Sequence, residues 1–392
     1  MIKVSIVIPT RNRAHLLRFA LKSAIQQTYR DLEIVVCDNY STDNTREIVD
    51  LYDNKNILYV RTDKALSMPD NWEFALSHAS GEYITYLTDD SYLLPDCITT
   101  AINELDKFHL QVAVSQQCAY FAQDWLEPAR RNLLHIPNVT FKSYILNSSI
   151  SLQKLYAMDD QISPMVPKSL NSLCHRAIIE NVIKVQNRFF LPPCPDYTSA
   201  ASILLNVSEY LLIDKLLCVA GVTTASIGAT TSFNLGESAL KFINEFEQGL
   251  DDAAFLGIHT TNASIGKSLE TVRNFYIDRC PEINIKNLLC TIVDGLVKVE
   301  SNGANVSNYW KILHEYIDTQ PLDIRLATAK QRVLSRFKWI LVKKIRFSPQ
   351  LECLERLRNI QILKGSKYNF NNIEECAKIV AERNIQKSGR RK

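Results

Sequence analysis

Over its first 125 residues the chain alternates short β-branched apolar runs with segments of helical periodicity. "KVSIVIPT" (3–10) reads as a strand, and in 14–27 Leu16, Leu17, Ala20, Leu21, Ala24 and Ile25 share one helical face. "LEIVVCD" (32–38) follows as a second strand, and "STDNTREIVDLY" opens a helix that Ser41, Thr42 or Asp43 could cap. Strands over 56–62, 82–88 and 111–122 and helices from about Asp70 to His78 and Pro95 to Phe108 complete the series. Strand-helix-strand repetition predicts parallel strands joined by right-handed crossovers, with helices on both faces. Ligands of such sheets bind beyond the carboxyl ends of the strands. "PTRNR", "CDNYSTD" and "TDD" all fall at such ends, so three polar clusters share one rim.

The rest of the chain differs in texture. Residues 126–170 read as loop, and 171–221 as a further α/β pass ending in the strand-like "EYLLIDKLLCVAG" (209–221). From about 236 the spacing turns helical, as in "SALKFINEFEQGLDDAAFLGI", "IKNLLCTIVDGLVKV" and "VSNYWKILHEYI". The expected division is therefore 1–235, with halves at 1–125 and 126–235, and a mostly helical region over 236–392.

Charge is divided along the same line. Residues 330–392 carry 17 Lys and Arg against 5 Asp and Glu, whereas the remainder carries 28 against 37. Within "KQRVLSRFKWILVKKIRF" (330–347), Val333, Phe337, Ile340, Leu341 and Ile345 stand among Arg332, Arg336, Lys338, Lys343, Lys344 and Arg346. The ordinary reading is a helix that packs its apolar stripe on the body and leaves a solvated basic face. The alternative is a basic amphipathic helix on an anionic membrane surface. No basic–aromatic stacking pattern or known module points to nucleic acid.

Ten cysteines without CxxC spacing suggest buried thiols in a reducing, cytoplasmic setting rather than a zinc site. The N-terminal apolar run is too short for a signal-peptide core. Leu216 to Gly236 has no charge but too many Thr, Ser and Asn residues for a membrane span. No GxGxxG follows the first strand, no GxxxxGK[ST] occurs, and no nucleophile elbow is present. These absences argue against dinucleotide redox chemistry, NTP hydrolysis and triad hydrolysis.

The adjacent carboxylates Asp89 and Asp90 end a strand, and two like charges side by side call for a positive partner. Together, "VSIVIPTRNR", "DLEIVVCDNYSTDNT", "DNWEFALSHASGEYITYLTDDSYLLPD" and the later "PDYTSA" resemble the successive motifs of the family 2 glycosyltransferases, over roughly residues 3–225. The resemblance implies a GT-A fold, a Rossmann-like mixed sheet flanked by helices. It also implies transfer of a sugar from a nucleotide diphosphate, most often UDP, to a saccharide or lipid-linked acceptor with Mn²⁺ or Mg²⁺.

By the same resemblance Asp90 is the metal ligand, Asp89 faces the ribose or supports the site from behind it, Asp38 meets the base, and Thr10, Arg13 and Asn71 lie along the nucleotide-sugar. Asp196 takes the place of the base that deprotonates the acceptor. Arg13's planar fork suits phosphate, and a surface role at a helix start suits it equally. Asp196 could instead cap its helix. Trp72 reads as core and His175 as structural. Thr88, Ser91 and Asn39 stand where further carboxylates are common, so few metal ligands are expected. Two rivals remain: a fold of this kind that binds nucleotide-sugar without turnover, and a sugar nucleotidyltransferase. The second would want a Gly-rich loop after the first strand, and "PTRNRAH" has no glycine.

Overall fold

The computed structural model describes residues 2–52, 54–235, 254–346 and 360–389. Its first half runs β1 (Val4–Thr10), α1 (Ala14–Ile25), β2 (Leu32–Asp38), α2 (Thr45–Asp50), β3 (Ile57–Arg61), α3 (Met68–Ser77), β4 (Tyr83–Tyr86), β5 (Tyr92–Leu93) and α4 (Cys97–Phe108). Then come β6 (Val112–Phe121), β7 (Leu133–Pro137), β8 (Ser143–Asn147), α5 (Ser148–Tyr156), β9 (Ser172–His175), α6 (Arg176–Gln186), α7 (Pro195–Asn206), β10 (Glu209–Val222) and α8 (Ile227–Phe233). The chain continues through α9 (Thr261–Arg273), α10 (Ile285–Ser301), α11 (Ser307–Asp318), α12 (Leu322–Arg346), β11 (Ile360–Lys364), α13 (Gly365–Tyr368) and α14 (Ile373–Gly389).

All eleven of these strands form one mixed sheet, ordered β11-β7-β6-β9-β4-β1-β2-β3, with β10 branching from β6 to pair also with β5 and β8. The expected α/β sheet is present. β1 is buried along its whole length, as a central strand must be when helices cover both faces. Because side chains alternate across a strand, Val4, Ile6 and Ile8 enter one apolar cluster with Leu17, Leu21 and Ile98. Val7 enters the opposite cluster with Trp72, Tyr86 and Ile203.

Three expectations change. Strands β4 and β6 are not parallel neighbours, because β9 inserts between them antiparallel to both. Its short "SLCH" carries no local sign of which strands it will join. Residues 126–170 are not only loop, since they contain β7, β8 and α5. The region beyond 235 is mostly helical, as expected, but it is not separate from the sheet. Strand β11 pairs antiparallel with β7, and α14 buries Cys376, Ala377 and Val380 against Tyr92, Leu94 and Val219. Asn384 Nδ2 donates to the Leu216 carbonyl at 2.8 Å, and Lys22 pairs with Glu374 at 2.9 Å. The helices between, α9 to α12, share their own cluster around Leu288, Ile292, Leu296, Trp310 and Leu313. Most of the expected helix over 238–258 lies outside the described residues.

The basic helix also differs from its ordinary reading. α12 packs inward through Thr328 and Ser335, whereas Val333, Phe337, Ile340 and Leu341 are exposed. Phe347 lies outside the described residues.

Candidate active site

The rim at the carboxyl ends of β1, β2, β4 and β10 gathers the polar clusters. Thr10 closes β1 and Asp38 closes β2, and the two strands run parallel in register there. Thr88 to Ser91 form a tight turn after β4, closed by the Ser91 amide donating to the Thr88 carbonyl at 3.0 Å. The Thr88 and Ser91 hydroxyls meet at 2.7 Å across it.

Asp89 is enclosed by this turn. Thr10 Oγ1 donates to its Oδ2 at 2.8 Å and Arg13 Nη1 to its Oδ1 at 3.0 Å. Burial pushes the Asp89 carboxyl above its ordinary range; Arg13 opposes that shift and Asp90 adds to it. Burial works against the Arg13 guanidinium too, but Asp89 and Asp90 outweigh it and the net shift is upward. The positive partner that the acidic doublet calls for is thus, in part, Arg13. Its other nitrogen donates to the Ala225 carbonyl, so Arg13 ties the loop after β10 to the loop after β4.

Asp90 turns the other way. Ser226 Oγ donates to its Oδ2 at 2.6 Å, and the carboxylate borders a cavity of about 250 Å³. The turn presses so closely on β10 that a Cβ placed on Gly221 would lie 2.0 Å from the Asp90 carbonyl oxygen. Only a residue without a side chain admits that approach.

A neighbouring cleft of about 330 Å³ is lined by Thr10, Arg13, Asn39, Asn71, Thr88 and Asp89. Asn71 is buried at its edge, with its side-chain oxygen accepting from Cys37 Sγ at 3.2 Å. Asn39 pins the next loop, accepting from the Leu66 amide at 2.8 Å and donating to its carbonyl at 2.9 Å. Asp38 does not line this cleft. It is fully buried and accepts from Tyr59 Oη at 2.6 Å, the Ser41 amide at 2.8 Å and Arg61 Nη1 at 3.2 Å. Trp72 stacks on Tyr86 with ring centroids 5.2 Å apart, as a core residue with one edge at the cleft.

Asp196 lines the same cavity as Asp90. It sits in the first turn of α7 behind Pro195, and the N-cap position belongs to Cys194. The capping alternative therefore does not describe it. Burial raises the Asp196 pKa, and the charge of Lys168 partly offsets that rise. His175, as expected, is structural: it caps α6 by accepting from the Ala177 amide at 3.1 Å.

Sequence reasoning missed Ser226, Gly221 and the wall that α9 contributes through Thr261 and Ser264, with His259 just before it. These residues lie far along the chain from "TDD" and carry no motif. Among the described residues no group of three or more His, Cys, Asp or Glu could hold a metal ion. A cation here would rest on Asp90 and on oxygens brought by a ligand, which suits Mg²⁺ or Mn²⁺ in phosphate sites.

Residues 5–173, somewhat less than half of the chain, match the family model described as Glycosyl transferase family 2. Among curated proteins the chain is similar to a Campylobacter jejuni GalNAc(5)-diNAcBac-PP-undecaprenol beta-1,3-glucosyltransferase, 36% identical over 29% of this chain and 37% of that protein. It is similar to the cholesterol galactosyltransferase of Borreliella burgdorferi, 29% identical over 54% of this chain and 58% of that protein. A third relative is an Escherichia coli UDP-Glc:alpha-D-GlcNAc-diphosphoundecaprenol beta-1,3-glucosyltransferase, 30% identical over 26% of this chain and 41% of that one. The aligned stretches thus span less than two thirds of each relative's length.

Proposed function

We propose that this protein transfers a sugar from a UDP-sugar to a saccharide or lipid-linked acceptor, with inversion and with Mn²⁺ or Mg²⁺ on Asp90. The observation that carries the reading is that Asp90 and Asp196 border one cavity that adjoins the rim cleft. The cleft accommodates the donor nucleotide along Thr10, Asn71 and the Asp89–Arg13 pair. Asp196, with its pKa raised by burial, takes the proton of the acceptor hydroxyl as that oxygen attacks the anomeric carbon. The carbon–oxygen bond to the diphosphate breaks on the opposite face, and UDP leaves. When bound, the cation neutralises charge gathering on the departing diphosphate. Asp38 supports the base from beneath by holding the loop from Ser41. The UDP donor and the undecaprenyl diphosphate acceptor in the name of the E. coli relative support both halves of the reading.

A nucleotide-sugar-binding module without turnover is the second reading. It is favoured by the completeness of the contacts already made to Asp38 and Asp89. Assay of UDP release from UDP-glucose, UDP-galactose and their N-acetyl forms, with and without Mn²⁺, separates the two. Turnover that depends on Mn²⁺ and is lost in Asp90→Ala supports transfer. Binding of UDP with no release from any donor supports the module.

A further inference from the structure

We infer that α12 is a docking helix for an anionic bilayer surface, lying flat with its apolar face in the headgroup layer. Leu326, Val333, Leu334, Phe337, Ile340 and Leu341 are each between 52% and 70% exposed. An exposed Leu alone means nothing, but contiguous large apolar side chains on one element mark an interaction site. At 3.6 residues per turn, Leu326, Val333, Phe337 and Ile340 fall on one side, with Leu334 and Leu341 beside them. Arg325 and Arg336 border that side on one flank and Lys338 on the other, with Lys330 inside it; all four are exposed.

The inward face explains why the helix presents its apolar side to the outside. Ser335 Oγ and Trp339 Nε1 both donate to Asp294 Oδ1, at 2.6 and 3.3 Å. Lys338 Nζ reaches Asp294 Oδ2 at 2.9 Å. The Arg332 guanidinium lies over Trp310, 4.2 Å from the ring centre. Polar contacts therefore fix the rotation of the helix, and the apolar stripe has no partner among these contacts. Among the described residues no helix is long and apolar enough to cross a membrane.

Charge selects the occupant. The sequence of α12 holds eight Lys and Arg, and its one acidic residue, Asp323, is in the first turn and pairs with Lys286 at 3.2 Å. Arg325 is met by Asp318 at 3.7 Å and Lys338 by Asp294 at 2.9 Å, but two copies of this face brought together would still oppose Lys330 and Arg336 as like charges. A leaflet of anionic lipid meets both the stripe and its flanks, and long basic side chains reach headgroups while their stems cover apolar surface.

The inference rests on α12 and not on the transfer reaction, so the two can fail separately. The test is co-sedimentation of the full chain with vesicles containing phosphatidylglycerol and with vesicles of phosphatidylcholine alone. Binding to the anionic vesicles that weakens with salt is expected. Val333→Ser/Phe337→Ser/Ile340→Ser, all outward positions, should bind at least about tenfold more weakly. Lys330→Gln/Arg336→Gln should lose about fivefold for each charge. Unchanged circular dichroism and thermal melting would show that both variants fold. Equal sedimentation of wild type and variants, or none at low salt, overturns the inference. So does light scattering that finds a wild-type dimer turned monomer in the serine variant while vesicle binding stays the same. UDP release measured without lipid should not change in either variant. Vesicle binding without turnover removes the proposed function and leaves the docking helix.

Discussion

Two aspartates on the rim have opposite surroundings, Asp89 buried and Asp196 partly exposed. Asp89 receives a guanidinium and a hydroxyl, which satisfy both its oxygens. Asp196 has the more distant charge of Lys168 and its own helix backbone. Burial raises the pKa of both, but only Asp196 is left with a carboxylate that no side chain has claimed among the hydrogen bonds described. The first holds loops together, and the second is the one free to move a proton in the proposed reaction. Being acidic and near the sheet's carboxyl edge does not distinguish them; the company each keeps does.

The sharpest way to break this contrast is Asp196→Asn. Loss of a positioned general base lowers kcat by about 10²- to 10⁴-fold, while the affinity for UDP, measured by calorimetry, should stay within a factor of two or so because Asp196 lies outside the cleft proposed for the nucleotide. If UDP affinity falls with kcat, Asp196 belongs to the donor site and the assignment is wrong.

Next in size is Arg13→Ala. Removing one partner of a buried pair leaves the other charge uncompensated, which destabilises by about 3–5 kcal/mol. The sign with pH follows. Asp89 in the folded state already protonates more readily than an unfolded Asp, so the folded state holds extra protons between the two pKa values. Stability therefore declines as pH rises through that window. Without Arg13 the folded pKa climbs further, so urea denaturation should show the deficit growing from acid to neutral pH. A deficit that shrinks toward neutral pH would mean that Asp89 is not the group Arg13 supports.

The same contrast shows what local pattern can and cannot carry. Strands β1 and β2 and helices α1 and α4 were legible because each writes its own period into consecutive residues. The Asp89–Asp90 doublet was legible because it ends an apolar run abruptly. Arg13 was legible as a site residue, but its partner was not, since a salt bridge across 76 positions leaves no trace in spacing. For the same reason β9 and β11 were missed as members of the sheet. Each is a short run whose pairing partner lies far away in the chain. The apolar stripe of α12 was visible as a period, yet the period does not say which side faces the protein. Asp294, 41 positions before Ser335, decides that.

A pair of glycines tests how tightly the metal side of the rim is built. Gly221→Ala places a methyl against the Asp90 backbone, which must shift, so stability should fall by about 1–3 kcal/mol, as overpacking does. Mn²⁺ affinity should fall with it, because the same turn carries Asp90, the ligand in the proposed reaction. Gly228 on α8 faces open space, with no atom within 4 Å of where a methyl would stand, and Gly228→Ala should be neutral or stabilising by up to about 1 kcal/mol. Equal melting temperatures for the two variants would show that the turn is not pressed against β10.

The smallest effect isolates the surroundings of Asp196 without touching it. Lys168 lies with its ammonium 4.9 Å from the centre of the Tyr197 ring and 3.3 Å from Ser163 Oγ, and its charge lowers the Asp196 pKa against the upward pull of burial. Lys168→Met deletes that charge and keeps the apolar stem, so the Asp196 pKa rises further. A base must be unprotonated to act, so the acid limb of the kcat/KM profile moves to higher pH in the variant, and the alkaline plateau keeps its height. Arg in place of Lys168 restores the charge and should return the limb. A structural role for Lys168 alone would lower the plateau and leave the limb where it was. The direction of the limb thus reads out whether Asp196, rather than Asp89, is the group that titrates in turnover.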